Sequence, residues 1–537
     1  MQSRKIKVVE PETDAEPKPT PPGALPGRIS ARDKVCSMTE LQGIVARYRA
    51  SGLRVSLCHG VFDLVHLGHI RHLEEARSFG DVLVVTLTAD AFVNKGPGRP
   101  VFAEFQRAEM LAALNYVDHV AINHGPDAEQ VIRLLQPDSY VKGSDYANAD
   151  QDVTGKIAVE RAAVEAHGGK LVFTDDITFS SSELISRHLD VFDTETRDYL
   201  ASVRSEGGLP AILELLEKMK DYRVLIVGDA IVDEYQYASP MAKAAKENII
   251  ATRFQDSEAF AGGVFATANH VASFCKEVEV VTWLGARDSQ EELIRKALKP
   301  NVRLTTLTRQ GAPTTRKVRF VDPTHLRKLF EVYFINDTPL SPEDQASFDR
   351  LVARRSRDFD VVIANDFGHG AIGRSTVNEL TRSSTFLAVN AQTNSANIGF
   401  NLIGKYPRAD FVCIDAPEAR LATADKFGEL TDLISEDMPR LVQCDKIVIT
   451  DGKRGCVAYQ DGRPPKKIPA FAKSVVDTVG AGDAFLAVTA PLVRAGASMN
   501  QAGFVGNVVG ALKVEIVGHR KSVEKVPLVK AVTAILK

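Results

Sequence analysis

Asp477-Thr-Val-Gly-Ala-Gly-Asp-Ala-Phe485 is the stretch whose reading decides this chain. A β-branched run, Ser474-Val475-Val476, leads in, and an apolar helical pattern (Ala484, Phe485, Ala487, Val488) follows. Gly480 and Gly482 carry no side chain to hold a phosphate away from the backbone. The amides of Gly480, Ala481, Gly482 and Asp483 can therefore converge on an anion at a helix N-terminus, where the dipole also favours negative charge. Asp483 is the odd member, because a carboxylate in an anion site is repulsive unless it does chemistry. Its natural task is to accept the proton of an attacking hydroxyl while the amides hold a phosphoryl group. For GAGD alone the plain alternative is a glycine turn in which Asp483 partners the helix dipole.

Working outward, 537 residues are too many for one ordinary domain, and two or three are expected. Hydrophobic residues at 44% and charged residues at 25% are ordinary for a globular chain. A net charge of −3 argues against a general nucleic-acid binder. No apolar run has the length of a membrane span, and no signal-peptide core is evident, so the expectation is a cytoplasmic enzyme that binds neither nucleic acid nor membrane. The six cysteines lack metal-ligand spacing and read as reduced thiols.

Residues 1–30, rich in Pro, Glu, Lys and Thr, read as a disordered tail. After a helical pattern (Leu41, Ile44, Val45, Tyr48), strand-like runs fall at Arg54–Cys58, Val82–Leu87, Val117–Ile122 and Ser139–Val141. Their alternation with helical patterns indicates a parallel α/β sheet. The first strand opens into Gly60-Val-Phe-Asp-Leu-Val-His-Leu-Gly-His69. His66 and His69 share one face at a helix start, and Gly68 lets a ligand approach. Two imidazoles and a helix N-terminus suit the charge that builds on an attacked α-phosphate. A decorative pair or a metal site are the alternatives, the metal disfavoured for want of a third ligand. The string resembles the HxGH signature of the nucleotidyltransferases in its cytidylyltransferase-like form, which brings in Gly60, Phe62, Asp63 and Gly68 as nucleotide contacts. Lys95-Gly-Pro-Gly-Arg99, Lys142-Gly-Ser-Asp145 and Ser180-Ser181-Ser182 follow in order. With the Arg107 helix they resemble the sugar-phosphate nucleotidyltransferase half of the bifunctional heptose enzymes, over residues 52–189. The resemblance implies a catalytic role for Lys95 beside His66 and His69, phosphate contacts from Arg99 and the three serines, and nucleotide contacts from Lys142, Gly143 and Asp145.

Residues 190–221 read as a helical connector. A second α/β domain opens at Arg223-Val-Leu-Ile-Val-Gly-Asp229, with Asp233 four residues on. Phe260-Ala-Gly-Gly-Val-Phe-Ala-Thr-Ala-Asn269, the GAGD stretch and Val448-Ile-Thr-Asp-Gly-Lys-Arg-Gly455 resemble the signatures of the ribokinase-like (PfkB) carbohydrate kinases, over residues 222–535. That resemblance implies sugar contacts from Asp229, Asp233, Gly262, Gly263, Asn269 and Arg316. It implies nucleotide contacts from Thr450, Gly452, Gly455 and Asn507, and Mg²⁺ held through water by Glu418 and Asp415. A monovalent cation near the anion hole is also implied. Asp415 stands where that family usually has Asn, and His369 where the heptose kinases tend to carry Lys. Segments 249–254 and 314–320 read as a small β-lid, with Arg316, Lys317 and Arg319 facing an anionic sugar or solvent.

The fold expectation is thus α/β throughout: a Rossmann-like nucleotidyltransferase domain over 31–189, then a ribokinase-like domain with a β-lid over 222–537. The implied function is a bifunctional enzyme of activated-sugar synthesis. It would use ATP for the kinase, ATP or CTP for the transferase, Mg²⁺ and small sugar phosphates, with a homodimer left open. A polyol-phosphate cytidylyltransferase fused to an unrelated sugar kinase, and a fusion with one inactive regulatory domain, are the competing readings.

Overall fold

The computed structural model describes residues 30–93, 100–143, 156–174, 192–243, 247, 249–472 and 474–536. They divide into two compact units, one drawn from Met1–Phe92 and Phe102–Phe179, the other from Val93–Val101 and Ser180–Lys537. Of the tail expected over 1–30, only Ser30 is among the described residues.

The first unit is a six-stranded parallel sheet. Its strands are β1 (Val35–Cys36), β2 (Val55–Gly60), β3 (Val82–Thr88), β4 (His119–Asn123), β5 (Ser139–Gly143) and β6 (Lys170–Thr174), ordered β1-β4-β3-β2-β5-β6. Every residue of β3 is buried, the near-continuous apolar run of a strand covered on both faces. Helix α1 (Met38–Ala50) starts in a capping box in which Ser37 accepts from Glu40 N–H and Glu40 accepts from Ser37 N–H. Helix α2 (Leu67–Ser78) follows β2 and presses Leu73 and Ala76 into the core. The strand order reverses between β2 and β5, so a crevice opens at the ends of these two strands, where ligands of open α/β sheets bind.

In the second unit, β7 (Arg223–Gly228), β10 (Glu277–Arg287), β11 (Val302–Pro313), β14 (Val361–Asp366), β15 (Leu387–Ala391), β16 (Phe411–Asp415), β17 (Lys446–Thr450), β18 (Cys456–Gln460) and β19 (Lys466–Ile468) form one sheet. Its order is β11-β10-β7-β14-β15-β16-β17-β18-β19, parallel as far as β17 and antiparallel beyond. A separate four-stranded sheet, β13-β12-β8-β9, consists of β8 (Ala230–Lys243), β9 (Ile250–Gly263), β12 (Thr315–Asp322) and β13 (Arg327–Phe334). Both segments expected in a lid fall in it.

The connector reading of 190–221 is revised. Helices α6 (Thr194–Ser205) and α7 (Gly208–Lys218) are part of the second unit's core. Tyr199, Val203, Ile212 and Leu216 join the cluster that also holds Phe485, Phe504 and Leu528. Gln501 Nε2 donates to Glu206 O (3.1 Å), and Arg204 Nε to Leu536 O (3.0 Å). The reason is the apolar stripe of α7: burying each such side chain is worth about 1.5–3 kcal/mol, too much for a solvated tether.

Candidate active sites

In the first unit β2 delivers the chain into the turn that carries Phe62 and Asp63, both buried. Phe62 adopts a positive φ of 49° and sets its ring edge-on to His69, centroids 5.3 Å apart. Gly60 makes room for it, since a Cβ there would stand 3.1 Å from the Phe62 ring. His66 is the N-cap of α2, and its Nδ1 accepts from Gly68 N–H (3.1 Å), which leaves the proton of the neutral ring on Nε2. The His66 and His69 rings lie 4.0 Å apart, so the two are brought together as the spacing required.

Arg107, fully buried, braces this turn from behind. Its guanidinium donates to the carbonyls of Val61, Thr88 (2.9 Å) and Phe102 (2.9 Å) and pairs with Asp90 at 2.6 Å. At the end of β5, Lys142 pairs with buried Glu160 (3.1 Å), and Gly143 closes the strand. Lys95, Arg99, Asp145, Ser180, Ser181 and Ser182 lie outside the described residues.

In the second unit Gly480 takes φ 75° and caps helix α10 (Ala481–Arg494), whose first turn holds Asp483. The lead-in forms no strand, and its Val476 and Asp477 N–H groups donate to Val514 O. Of the four expected amides, that of Ala481 is engaged by Thr478 O (3.2 Å). A Cβ at Gly482 would meet nothing within 4 Å, so this glycine faces open space of the kind a phosphate needs. Gln392 Nε2 donates to Asp483 Oδ1 (2.9 Å). Burial pushes the Asp483 carboxyl up, with the charge of nearby Asp233 adding and His519 opposing.

Asp233 is buried between His519, whose Nε2 lies 3.2 Å from its Oδ2, and Arg319. Burial alone would raise this carboxyl, but the two partners outweigh it and hold it well below the ordinary range. Gly262 must be glycine for the same carboxylate, since a Cβ would stand 1.9 Å from Asp233 Oδ2. Gly263 (φ 53°) turns the chain into helix α8 (Val264–Val271).

Three expected sugar contacts are placed elsewhere. Asp229 accepts from the amides of Phe367 (2.9 Å), His369 (3.3 Å) and Ala371 (2.9 Å), so its carboxylate caps that loop. Asn269 sits on the outer side of α8, donating to Ala297 O (2.9 Å) and accepting from Lys299 N–H (3.0 Å). Arg316 pairs with Glu234 (2.7 Å) and stacks on Phe334, whereas its neighbour Arg319 reaches Asp233. His369 is buried and neutral: burial, then the charge of Lys317, pushes it down to about 3.

Glu418 and Asp415 form the capping box of helix α9 (Ala416–Thr423), each accepting the other's N–H at 2.8 Å. Glu418 also accepts from Thr393 N–H (3.0 Å). Burial, and then the Asp415 charge, raise its carboxyl, so the pair is a crowded anion that a nearby cation would relieve. Among the described residues no group of three His, Cys, Asp or Glu could hold a metal, so a Mg²⁺ at this pair would take most of its ligands from water and phosphate. Thr450 ends β17, and Gly452 and Gly455 both take positive φ in the turn to β18. The Asn507 amide, expected at the nucleotide, donates to Ile468 O (3.1 Å) and Pro469 O (3.0 Å) and ties that edge together.

Sequence reasoning missed Gln392, His519 and Lys513. The last had a signal, a lone cation inside the apolar run Val508-Val-Gly-Ala-Leu-Lys-Val514.

A glycine turn with buried Asp483 in the helix it opens, a second buried carboxylate at Asp233 and a separate four-stranded sheet are the arrangement of a sugar-kinase type of α/β protein. The chain belongs to the pfkB family of carbohydrate kinases, whose family model matches residues 222–526, more than half of its length. A cytidylyltransferase-like family model matches residues 57–187. Among curated relatives, the bifunctional protein HldE of Methylobacillus flagellatus is 41% identical over 159 residues, 29% of this chain and 31% of that one. HldE of Geobacter sulfurreducens is 37% identical over 167 residues, 30% and 32% of the two chains. These matches lie in the nucleotidyltransferase part, and the chain spans about a third of the length of the relatives it matches. Among solved structures, phosphofructokinase-2 from Escherichia coli in complex with potassium covers 59% of this chain and 100% of its own, at 12% identity and TM-score 0.49. A ribokinase from Thermotoga maritima covers 58% and 99%, at 20% identity and TM-score 0.46. Among the described residues no helix is long and apolar enough to cross a membrane.

Proposed function

We propose that the chain is a bifunctional enzyme of nucleotide-activated sugar synthesis. The second unit transfers the γ-phosphoryl group of ATP to a sugar or sugar phosphate of the heptose 7-phosphate type. The first joins a nucleoside monophosphate from ATP or CTP to a sugar 1-phosphate and releases pyrophosphate. The observation that carries the kinase half is the meeting of Asp233, His519 and the Gly480 turn beside Asp483: a carboxylate for sugar hydroxyls, an anion-holding turn and a base around one place.

Asp483 takes the proton of the attacking hydroxyl. Its raised carboxyl makes it a better base than an exposed aspartate, and Gln392 aims it. Gly480 and Gly482 hold the phosphoryl oxygens. Asp233 orients the acceptor, and Arg319 and Lys317 bring positive charge to it from the neighbouring strand β12. Thr450, Gly452 and Gly455 line the nucleotide turn. Glu418 with Asp415 would hold Mg²⁺ through water, and the ion supplies neutralising charge to the phosphates.

In the other unit His66 and His69 offer donors to the charge developing on the α-phosphate, and Arg107 keeps their turn in place. Gly60, Phe62, Asp63, Gly68, Lys142 and Gly143 border the crevice for the nucleotide. We take 31–189 as the transferase domain and extend the kinase domain upstream of 222 to include α6 and α7. The exposed Ile250, Phe254, Phe330, Val332 and Phe334 of the lid sheet support a homodimer through that face, which light-scattering mass measurement tests.

The deciding experiment is Asp483→Asn, with ADP and pyrophosphate followed on one preparation. Sugar-dependent ADP formation should fall by about 10²–10⁴ while pyrophosphate release stays near wild type. Full kinase activity in this variant would remove Asp483 from the mechanism.

A further inference from the structure

Beside the anion-holding turn there is a place with the donor set of a desolvated monovalent cation. Asp477 opens the turn, buried, with its carboxylate accepting from Tyr235 OH (2.6 Å) and the amides of Val479 (3.1 Å) and Gly518 (2.8 Å). The carbonyls of Val479 and Gly518 converge on one spot nearby. That spot holds Nζ of Lys513, which donates to Val479 O at 2.8 Å and to Gly518 O at 2.7 Å. Lys513 ends helix α11 (Met499–Lys513), and its residue is 0% exposed.

A lysine that ends a helix ordinarily offers its charge to the last carbonyls and to water. Lys513 instead reaches back 34 residues to the glycine turn. Burying an ammonium costs several kcal/mol unless it is paired and hydrogen-bonded, so the placement needs a use. Burial draws its pKa down to about 8, opposed by the charges of Asp477 and Asp483. A second ammonium, Lys328 Nζ from β13, sits 2.5 Å from Asp477 Oδ1. Backbone carbonyls beside a carboxylate are the oxygens that replace the water shell of K⁺, and here both the carbonyls and the carboxylate are met by ammonium groups.

We propose that Lys513 is a built-in monovalent cation: its ammonium stands where K⁺ or Na⁺ would otherwise sit and fixes the Gly480–Gly482 turn between the Val479 and Gly518 carbonyls. Resting on the kinase reading, this makes the kinase independent of added monovalent cations. The residues present do not fit the cation expected there, because its oxygen set is already taken. Lys513 acts through the turn and is a positioning residue.

The test uses the full chain in tetramethylammonium chloride and in KCl at matched ionic strength, following ADP formation and the melting temperature. Wild type should give the same values in both salts. Lys513→Ala should lose at least about tenfold in ADP formation without K⁺ and recover with KCl or NH₄Cl, and its melting temperature should rise with K⁺ but not with tetramethylammonium. Lys513→Met should lose activity without rescue, its side chain filling the place. Melting reads the cation place even when no acceptor sugar turns over, so failure of the kinase reading leaves that arm intact. A wild-type chain whose melting or ADP formation responds several-fold or by several degrees to K⁺ overturns the proposal, as does Lys513→Ala indifferent to K⁺ in both readouts.

Discussion

His519 Nε2 lies 3.2 Å from Asp233 Oδ2, and a Cβ at Gly480 would stand 2.4 Å from Cε1 of the same imidazole. One ring therefore touches both the Asp233 carboxylate and the Gly480 turn. Asp233→Asn keeps the size but weakens charge-assisted bonds worth about 1.5–3 kcal/mol. The sugar KM should rise by about 10–100-fold, with ATP affinity and pyrophosphate release unchanged. Initial rates over a sugar titration check this, and an unchanged KM removes Asp233 from the acceptor site.

In the proposed function, nucleotidyl transfer draws on His66 and His69, whose tilted rings lie 4.0 Å apart. His66→Ala and His69→Ala should each lower pyrophosphate release by about 10²–10³, as for other donors to a developing oxyanion. Binding of the nucleotide, read by calorimetry, should change far less. Equal pyrophosphate rates in wild type and both variants would refute the assignment.

Acid should destabilise the chain through His369. Its folded pKa is pushed from 6.5 to about 3 by burial and then by Lys317. Between those values the unfolded state binds the extra proton, so stability falls as pH drops below 6.5 and the loss continues toward 3. His369→Leu removes this uptake, and its melting temperature should decline less steeply from neutral to about pH 4 than that of wild type. Parallel curves would show that the ring is protonated in the folded state.

Truncation should respect α6 and α7. A fragment of residues 192–537 retains Tyr199, Val203, Ile212 and Leu216 in its core, and should fold and melt cooperatively. One starting at 222 loses these side chains and exposes the faces they cover, at about 2–5 kcal/mol for each large residue removed. It should be insoluble or molten by near-ultraviolet circular dichroism, and a fully native 222–537 would restore the tether reading.

Much of the fold was legible because parallel strands such as Val82–Thr88 are mostly apolar, β-branched runs, buried along their whole length, that alternate with helical patterns. His66, His69, Gly480 and Asp483 were legible because their chemistry depends on near neighbours in the chain. Residues whose roles depend on distant partners were not. Gln392 meets Asp483 from 91 residues away, and nothing in its surroundings announces the contact. Asn269 was assigned by its place after the paired glycines, yet helical geometry turns it outward to Lys299. Asp229 carries the right chemistry, but backbone amides of residues 367–371 claim it. Gly262 was singled out as a sugar contact, and what the structure shows beside it is the Asp233 carboxylate, which leaves no room for a Cβ.

The hairpin of β8 and β9 runs from Asp233, opposite Phe260 near its root, to Lys243, opposite Ile250 at its tip, with register shifts at Tyr237/Ala238 and Pro240/Ala242 on the way. It is a lever arm. At about 3.3 Å per residue, tilting it by roughly 10° about Ala230 would swing the tip through about 7 Å and Asp233 through about 2 Å. A gentle push at the apolar tip is thus geared down to a displacement comparable with a hydrogen-bond length at the carboxylate. A partner packed against the rim would in this way shift Asp233 without touching it.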